Sequence, residues 1–182
     1  MSTSRSLSES RISKAVPERS AGSRQSIQVL LDTSFILTLV KRHRDPWAEI
    51  RTLIRGRVRI LVMELVQFEL ERLSRKSSGE TRLWAKTSLE LLAKRRPEIV
   101  EHKTGPSDVD SSLIAHALTE RTLTAIATVD REMRTVLAAQ DVPVISPRSR
   151  HGLMSNGPGL FRMELSPRQS HRGGARLRHG RL

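Results

Sequence analysis

Four carboxylates stand where carboxylates are costly. Asp32 closes the apolar run IQVLLD (27–32), and a charge at the end of a buried strand is expensive unless it is paired, caps a helix or holds a cation. Glu69 lies in MELVQFELERL. At 100° per residue, Met63, Val66, Leu70 and Leu73 form one face, and Glu69 falls within that apolar arc. Glu64 and Glu71 point to the polar side with Arg75. Asp110, in SDVDSSLIAHAL, projects into the face made by Leu113, Ile114 and Ala117, with Asp108 nearly opposite. Asp130 follows TAIATV and precedes REMRTVL, and Glu132 is a surface residue or a fifth acid.

Each acid also has an ordinary use. Asp32 and Asp130 suit helix N-caps, and Ser107 with Asp110 forms an approximate capping box. Glu69 can pack its stem and send its head to water. The set carries more than its members. If all four converge, their repulsion demands protonation or a cation. Hard oxygen donors without cysteine or clustered histidine select Mg²⁺ or Mn²⁺ over Zn²⁺. The six histidines (43, 102, 116, 151, 171 and 179) show no ligand spacing and read as surface or tail residues.

The elements that must position the acids alternate in type. IQVLLD and VRILV (58–62) read as strands, as do EIVEH (98–102, weakly), TLTAIATV (122–129) and VPVIS (142–146), the last strand. Helices are expected in SFILTLVKR, in PWAEIRTLIRG with Pro46 in its first turn, in MELVQFELERLSRK and in ETRLWAKTSLELLAKRR, which Pro97 stops. PSDVDSSLIAHALTER and DREMRTVLAAQ complete the set. This alternation predicts an α/β fold of three layers, a parallel sheet of about five strands flanked by helices. In such sheets the carboxyl ends of the strands and the following helix N-termini share one edge, where ligands bind. Asp32, Asp110 and Asp130 should meet there, with Glu69 reaching in.

Composition bounds the rest. At 182 residues with 37% hydrophobic residues the chain holds one domain,. No cysteine means no disulfide and no thiolate metal site. No apolar run spans a membrane, and no hydrophobic leader precedes residue 27, so a cytoplasmic protein with no membrane partner is expected. Of the net charge of +13, ten units fall in residues 1–26 and 147–182. Segments 1–26 (basic) and 151–182 (Arg/Gly-rich) read as disordered tails around a domain at 27–150. Basic arms attract polyphosphate backbones without reading sequence, and beside an acid-held cation they point to phosphodiester hydrolysis. Arg75, Lys76, Arg131 and Arg134 are the expected phosphate contacts to a nucleic acid. Two Trp, three Phe and no Tyr argue against base stacking as the main grip.

The segments LLDTS (30–34), VQFELERL (66–73), SDVDSSLIAHAL (107–118), IATVDREMRTVL (126–137) and VPVI (142–145) together resemble PIN-domain endoribonucleases. The resemblance covers about 27–150. It is nearest the ribosomal-RNA-processing (Fcf-like) archaeal and eukaryotic subgroup, with VapC-type toxins as neighbours. It implies one or two Mg²⁺ or Mn²⁺ ions and cleavage of single-stranded RNA to 5′-phosphate and 3′-hydroxyl ends, with pre-rRNA as the substrate of the nearest subgroup. It implies that Asp32, Glu69, Asp110 and Asp130 are the catalytic, metal-binding quartet and that Ser34 and Thr128 orient them. Ser111 stands where the subgroup often has a second Asp, leaving Asp110 the third ligand and Asp108 the reserve. The zinc-binding cysteines of some processing relatives are absent. Relatives often form homodimers, and an antitoxin partner follows only on the toxin reading, which a neighbouring antitoxin reading frame would identify.

Three other functions compete. A PIN-like RNA-binding protein without turnover would use the acids as caps. A haloacid-dehalogenase-type phosphatase needs a second acid two residues after the first, where this chain has Ser34. A phospho-receiver needs an Asp ending a middle strand, which EIVEH lacks.

Overall fold

The computed structural model describes residues 26–54, 56–102, 108–120, 122–148 and 152–157. The tail expectations for 1–25 and 158–182 lie outside them. Strand β1 (Ile27–Leu31) is buried at all five positions because it is central in a parallel sheet whose two faces are covered by helices. Helices α1 (Thr33–Lys41) and α2 (Pro46–Leu53) lead to β2 (Val58–Met63). Asp45 starts α2 by accepting from the Trp47 N–H at 2.9 Å, with Pro46 in the first turn. Helices α3 (Glu64–Lys76) and α4 (Gly79–Arg95) cross to β3 (Glu98–Val100). Helix α5 (Val109–Thr119) crosses to β4 (Thr124–Ala127), and α6 (Arg131–Ala139) to β5 (Val144–Pro147).

The sheet order is β3-β2-β1-β4-β5-β6, parallel through β5. Right-handed crossovers then place α1–α4 on one face and α5 and α6 on the other. Accordingly α3 packs on α4 and α1 on α2, α3 and α4, while α5 lies on β4 and α6 on β5. The core is the buried set from β1, β2, β4 and β5 closed by Phe35, Ile36, Leu39, Leu70, Leu113 and Leu137.

The sheet has six strands rather than the expected five. β6 (Leu153–Asn156) pairs antiparallel with β5, Val144 opposite Asn156 and Pro147 opposite Leu153. It lies in the stretch read as tail, where the polar and glycine-rich context conceals four residues of strand. Gly152, at φ +77°, makes the reversal, a conformation glycine adopts without Cβ strain. Leu153 and Ser155 then face inward. A short antiparallel edge strand needs only this alternation, since one face stays in water.

Candidate active site

Strands β1 and β4 are neighbours, and Leu31 registers with Ala127. The chain leaves β1 towards β2 and leaves β4 towards β5, so the two connections diverge. This is the topological switch point, where a crevice opens beyond the strand ends. Asp32 and Thr128 are the next residues on the two strands, and they face each other there.

Asp32 is 4% exposed. Its side chain does not cap α1. Its Oδ2 instead accepts from the Ser34 hydroxyl and from Thr128 Oγ1 at 2.7 Å. Burial pushes the Asp32 carboxyl above the ordinary range, the two hydroxyls oppose this, and the charge of Glu69 adds to the rise. Thr128, fully buried, makes a second bond, in which its Oγ1 accepts from the Asp130 N–H at 3.0 Å. The expected orienting roles of Ser34 and Thr128 thus have specific contacts. Asp130 caps α6, Oδ1 accepting from the Met133 N–H at 2.9 Å.

Asp110 lies in the first turn of α5. The N-cap of that helix is Asp108, whose Oδ2 accepts from the Ser111 N–H at 2.8 Å. The Ser107–Asp110 capping box is therefore not what starts α5, and Ser107 lies outside the described residues. Asp108 fills the cap because its extended backbone (φ −93°, ψ 149°) aims its carboxylate at the next turn's N–H groups. That bond holds Asp108 below the usual carboxylate range. Asp110 is left with no hydrogen bond or ion pair to any described residue. Its carboxyl is pushed up by burial first, then by the charges of Asp32, Asp130, Asp108 and Glu69.

Glu69 comes from α3, whose buried stripe is Val66, Leu70 and Ser74. Glu69 and Glu71 each stand 100° from Leu70, one on either side, and are 30% and 33% exposed. Glu69 is thus at the edge of the apolar arc rather than inside it, and Glu71 is no more solvated than Glu69. Glu64 is also not free surface, since its Oε2 accepts from the His102 N–H at 3.3 Å. What separates Glu69 from Glu71 is direction. Leu65, Phe68, Glu69 and Arg72, at i, i+3, i+4 and i+7, make a second stripe that faces Asp108, Val109 and Asp110 across a groove of about 430 Å³,. The nearest cation to Glu69 is Arg72, Nη2 to Oε1 at 3.4 Å.

The expected RNA contacts divide. Arg131 and Arg134 occupy the first turn of α6 at the rim, and Arg134 Nε donates to the Asp130 carbonyl at 3.1 Å. Arg75 and Lys76 lie in the last turn of α3, about 9 Å further from the rim than Glu69 at 1.5 Å per residue. Arg72 is the basic residue of α3 that reaches the acids. Its groove stripe could have been found by testing a second helical phase. Glu132 is exposed in the first turn of α6.

Asp110 therefore feels the charges of Asp32, Asp130 and Glu69, and Asp32 feels that of Glu69, at one rim. Among the described residues no three acidic or histidine side chains are grouped closely enough to hold one ion as they stand. The reason is local: Asp130 is turned to its cap, Glu69 to Arg72, and Asp32 to its two hydroxyls. The donor set is all carboxylate, and the charges acting on Asp110 are the kind a divalent cation relieves. The residue types fit Mg²⁺ or Mn²⁺.

A family model described as "PIN like domain" matches residues 29–150. The solved structure of the PIN domain endonuclease Utp24 superposes with a TM-score of 0.59 at 18% sequence identity, covering 71% of this chain and 91% of that one. No curated protein sequence matches. At that identity the structural likeness speaks for the fold.

Proposed function

Since the chain belongs to the PIN-like domain family, we propose that it is a metal-dependent endoribonuclease that hydrolyses single-stranded RNA at the acidic rim, with ribosomal RNA precursors as the substrate class. The observation that carries the reading is Asp110, a partly buried carboxyl at the N-terminus of α5 with no described cation beside it, pushed up by burial first and then by the charges of Asp32, Asp130, Asp108 and Glu69. A fold that gathers such charge without a purpose would be destabilised for nothing.

Asp32, Asp110 and Asp130 would hold the ion, with Glu69 completing the set. When bound, the ion supplies Lewis acidity towards a phosphodiester oxygen and towards water. The chain's own residues prepare the site. Ser34 and Thr128 hold the Asp32 carboxylate in one orientation and favour its charged form. Thr128 also fixes the first backbone N–H of the Asp130 turn. The N-termini of α5 and α6 face the rim, where their dipoles favour negative charge. Arg131 and Arg134 lie beside them to take backbone phosphates, which positions RNA without reading its sequence. The likeness to an endonuclease, Utp24, supports the nuclease reading through the fold alone.

The test is cleavage of an end-labelled single-stranded RNA by the full chain in Mn²⁺, wild type against Asp32→Asn. Loss of cleavage in the variant is expected, and equal rates would reject the assignment. A second reading, an RNA-binding protein without turnover, is favoured by the caps that occupy Asp108 and Asp130. It predicts no rise in melting temperature at millimolar Mn²⁺, since a ligand that binds only the folded state must raise it.

A further inference from the structure

Among the described aromatic side chains, Phe35 and Trp47 are buried (0% and 3% exposed) and Trp84 is half-buried. Phe68 is 52% exposed. Burying an aromatic ring is strongly favourable, and Phe68 is the one described Phe or Trp side chain left more than half exposed. Phe68 also has a defined location. It lines the groove that ends on Asp110, one residue before Glu69 and one helical turn before Arg72. Leu65 and Val109 extend its apolar surface, and the Arg72 side chain is 62% exposed.

We propose that Phe68 and Arg72 form a nucleotide seat beside the acid cluster. The Phe68 ring stacks on a base next to the scissile phosphate, and Arg72 exchanges its 3.4 Å contact with Glu69 for a backbone phosphate. The exchange has two effects. Arg72 is i,i+3 to Glu69 and only loosely paired with it, so little is lost when it turns to a fully charged phosphate. Its departure also frees the Glu69 carboxylate towards the other acids. A base suits the apolar part of the groove because its π-face is uncharged, while the surrounding carboxylates repel a naked phosphate. Stacking accepts any base, so the seat requires an unpaired strand and does not select sequence. The scarcity of aromatics therefore does not remove stacking from the mechanism; one ring, correctly placed, supplies it.

The seat rests on the nuclease reading for its purpose, so the experiment separates the two. Binding of a labelled single-stranded RNA to the full chain is measured by anisotropy in chelator, at a salt concentration high enough to suppress the basic arms. The proteins are wild type, Phe68→Ala, Phe68→Leu and Phe68→Trp. At tenfold per 1.4 kcal/mol, stacking of about 1–2 kcal/mol predicts that Ala and Leu weaken binding about 5- to 30-fold. Trp should retain affinity and show quenched fluorescence on binding. An oligomer made abasic throughout should bind wild type and Phe68→Ala alike. Arg72→Gln should lower the salt slope by about 0.7, one phosphate on a single strand. Unchanged affinity in Phe68→Ala overturns the seat. So does a leucine variant that binds like wild type, or loss of self-association with RNA affinity unchanged, which would mark the ring as a contact for a second copy. In parallel, cleavage in Mn²⁺ is followed. A wild type that does not cleave but whose binding depends on Phe68 overturns the nuclease reading and leaves the seat. A cleaving wild type matched by Phe68→Ala overturns only the seat.

Discussion

Replacing Thr128 by valine removes one hydroxyl and two bonds. In the wild-type protein Oγ1 donates to the buried Asp32 carboxylate at 2.7 Å and accepts from the Asp130 N–H at 3.0 Å. A bond to a charged group contributes roughly 1.5–3 kcal/mol and a neutral one about 0.5–1.5 kcal/mol. Valine has nearly the same shape, so no cavity is added. Thr128→Val should then destabilise metal-free protein by about 2–4 kcal/mol at pH 7. With a urea m-value of about 2 kcal/mol/M, the midpoint falls by about 1–2 M, read from the fluorescence of buried Trp47.

The pH dependence isolates the cause. Folded Asp32 holds its proton more tightly than the unfolded chain does, because burial raises its pKa from 3.8. Folding stability therefore declines as pH rises from that value and levels off once the folded carboxyl has ionised. Losing a hydroxyl that favours the charged form raises the folded pKa further. The gap between variant and wild type should fall near pH 4 towards the share of the Asp130 N–H bond alone and widen towards neutrality, while Thr128→Ser stays near wild type. A gap below about 0.5 kcal/mol at pH 7, or one that is equal at pH 4 and pH 7, would refute the reasoning.

Asp130 has a capping role and a charge, and two variants separate them. Asp130→Asn should keep the bond to the Met133 N–H and lose cleavage with little change in stability, whereas Asp130→Ala should cost about 1 kcal/mol more in urea unfolding. Asp110→Asn should raise the melting temperature of metal-free protein at pH 7 and leave it unchanged near pH 3, because the folded carboxyl is raised by its neighbours and its charge opposes folding only once ionised. The same substitution should abolish any Mn²⁺-induced rise in melting temperature, as judged by thermal shift with and without chelator.

Much of this arrangement was legible in the sequence, for reasons that particular residues make plain. The run IQVLL is apolar throughout because β1 is covered on both faces, and Asp32 stands out against it. Asp130 is marked by its place between a strand and a helix that it must cap. The less legible parts are those set by direction rather than pattern. An amphipathic wheel centred on Leu70, the middle of the buried stripe, cannot tell Glu69 from Glu71, since each stands 100° away,; the distinction depends on which edge of α3 faces α5. The same angle promotes Arg72 over Arg75 and exposes Phe68 at the groove. The start of α5 turns on whether Ser107 or Asp108 adopts the cap conformation, which both residue types can do. β6 escaped because four residues of edge strand carry too little periodicity to stand out among glycines and arginines.

The reversal at Gly152 has a consequence for where positive charge enters the molecule. β5 delivers the chain to the acidic rim, and β6 carries it back across the sheet, so the polypeptide passes residue 157 at the edge opposite the acids. Ser26, just before β1, lies at that same far edge. Ser26 and Gly157, the described residues next to the two basic flanks, thus lie beneath the sheet, roughly 13–17 Å from the carboxylates at about 3.3 Å per residue over strands of four and five residues,. On the proposed function, a nucleic acid touching both the flank junctions and the rim would have to run the height of the sheet.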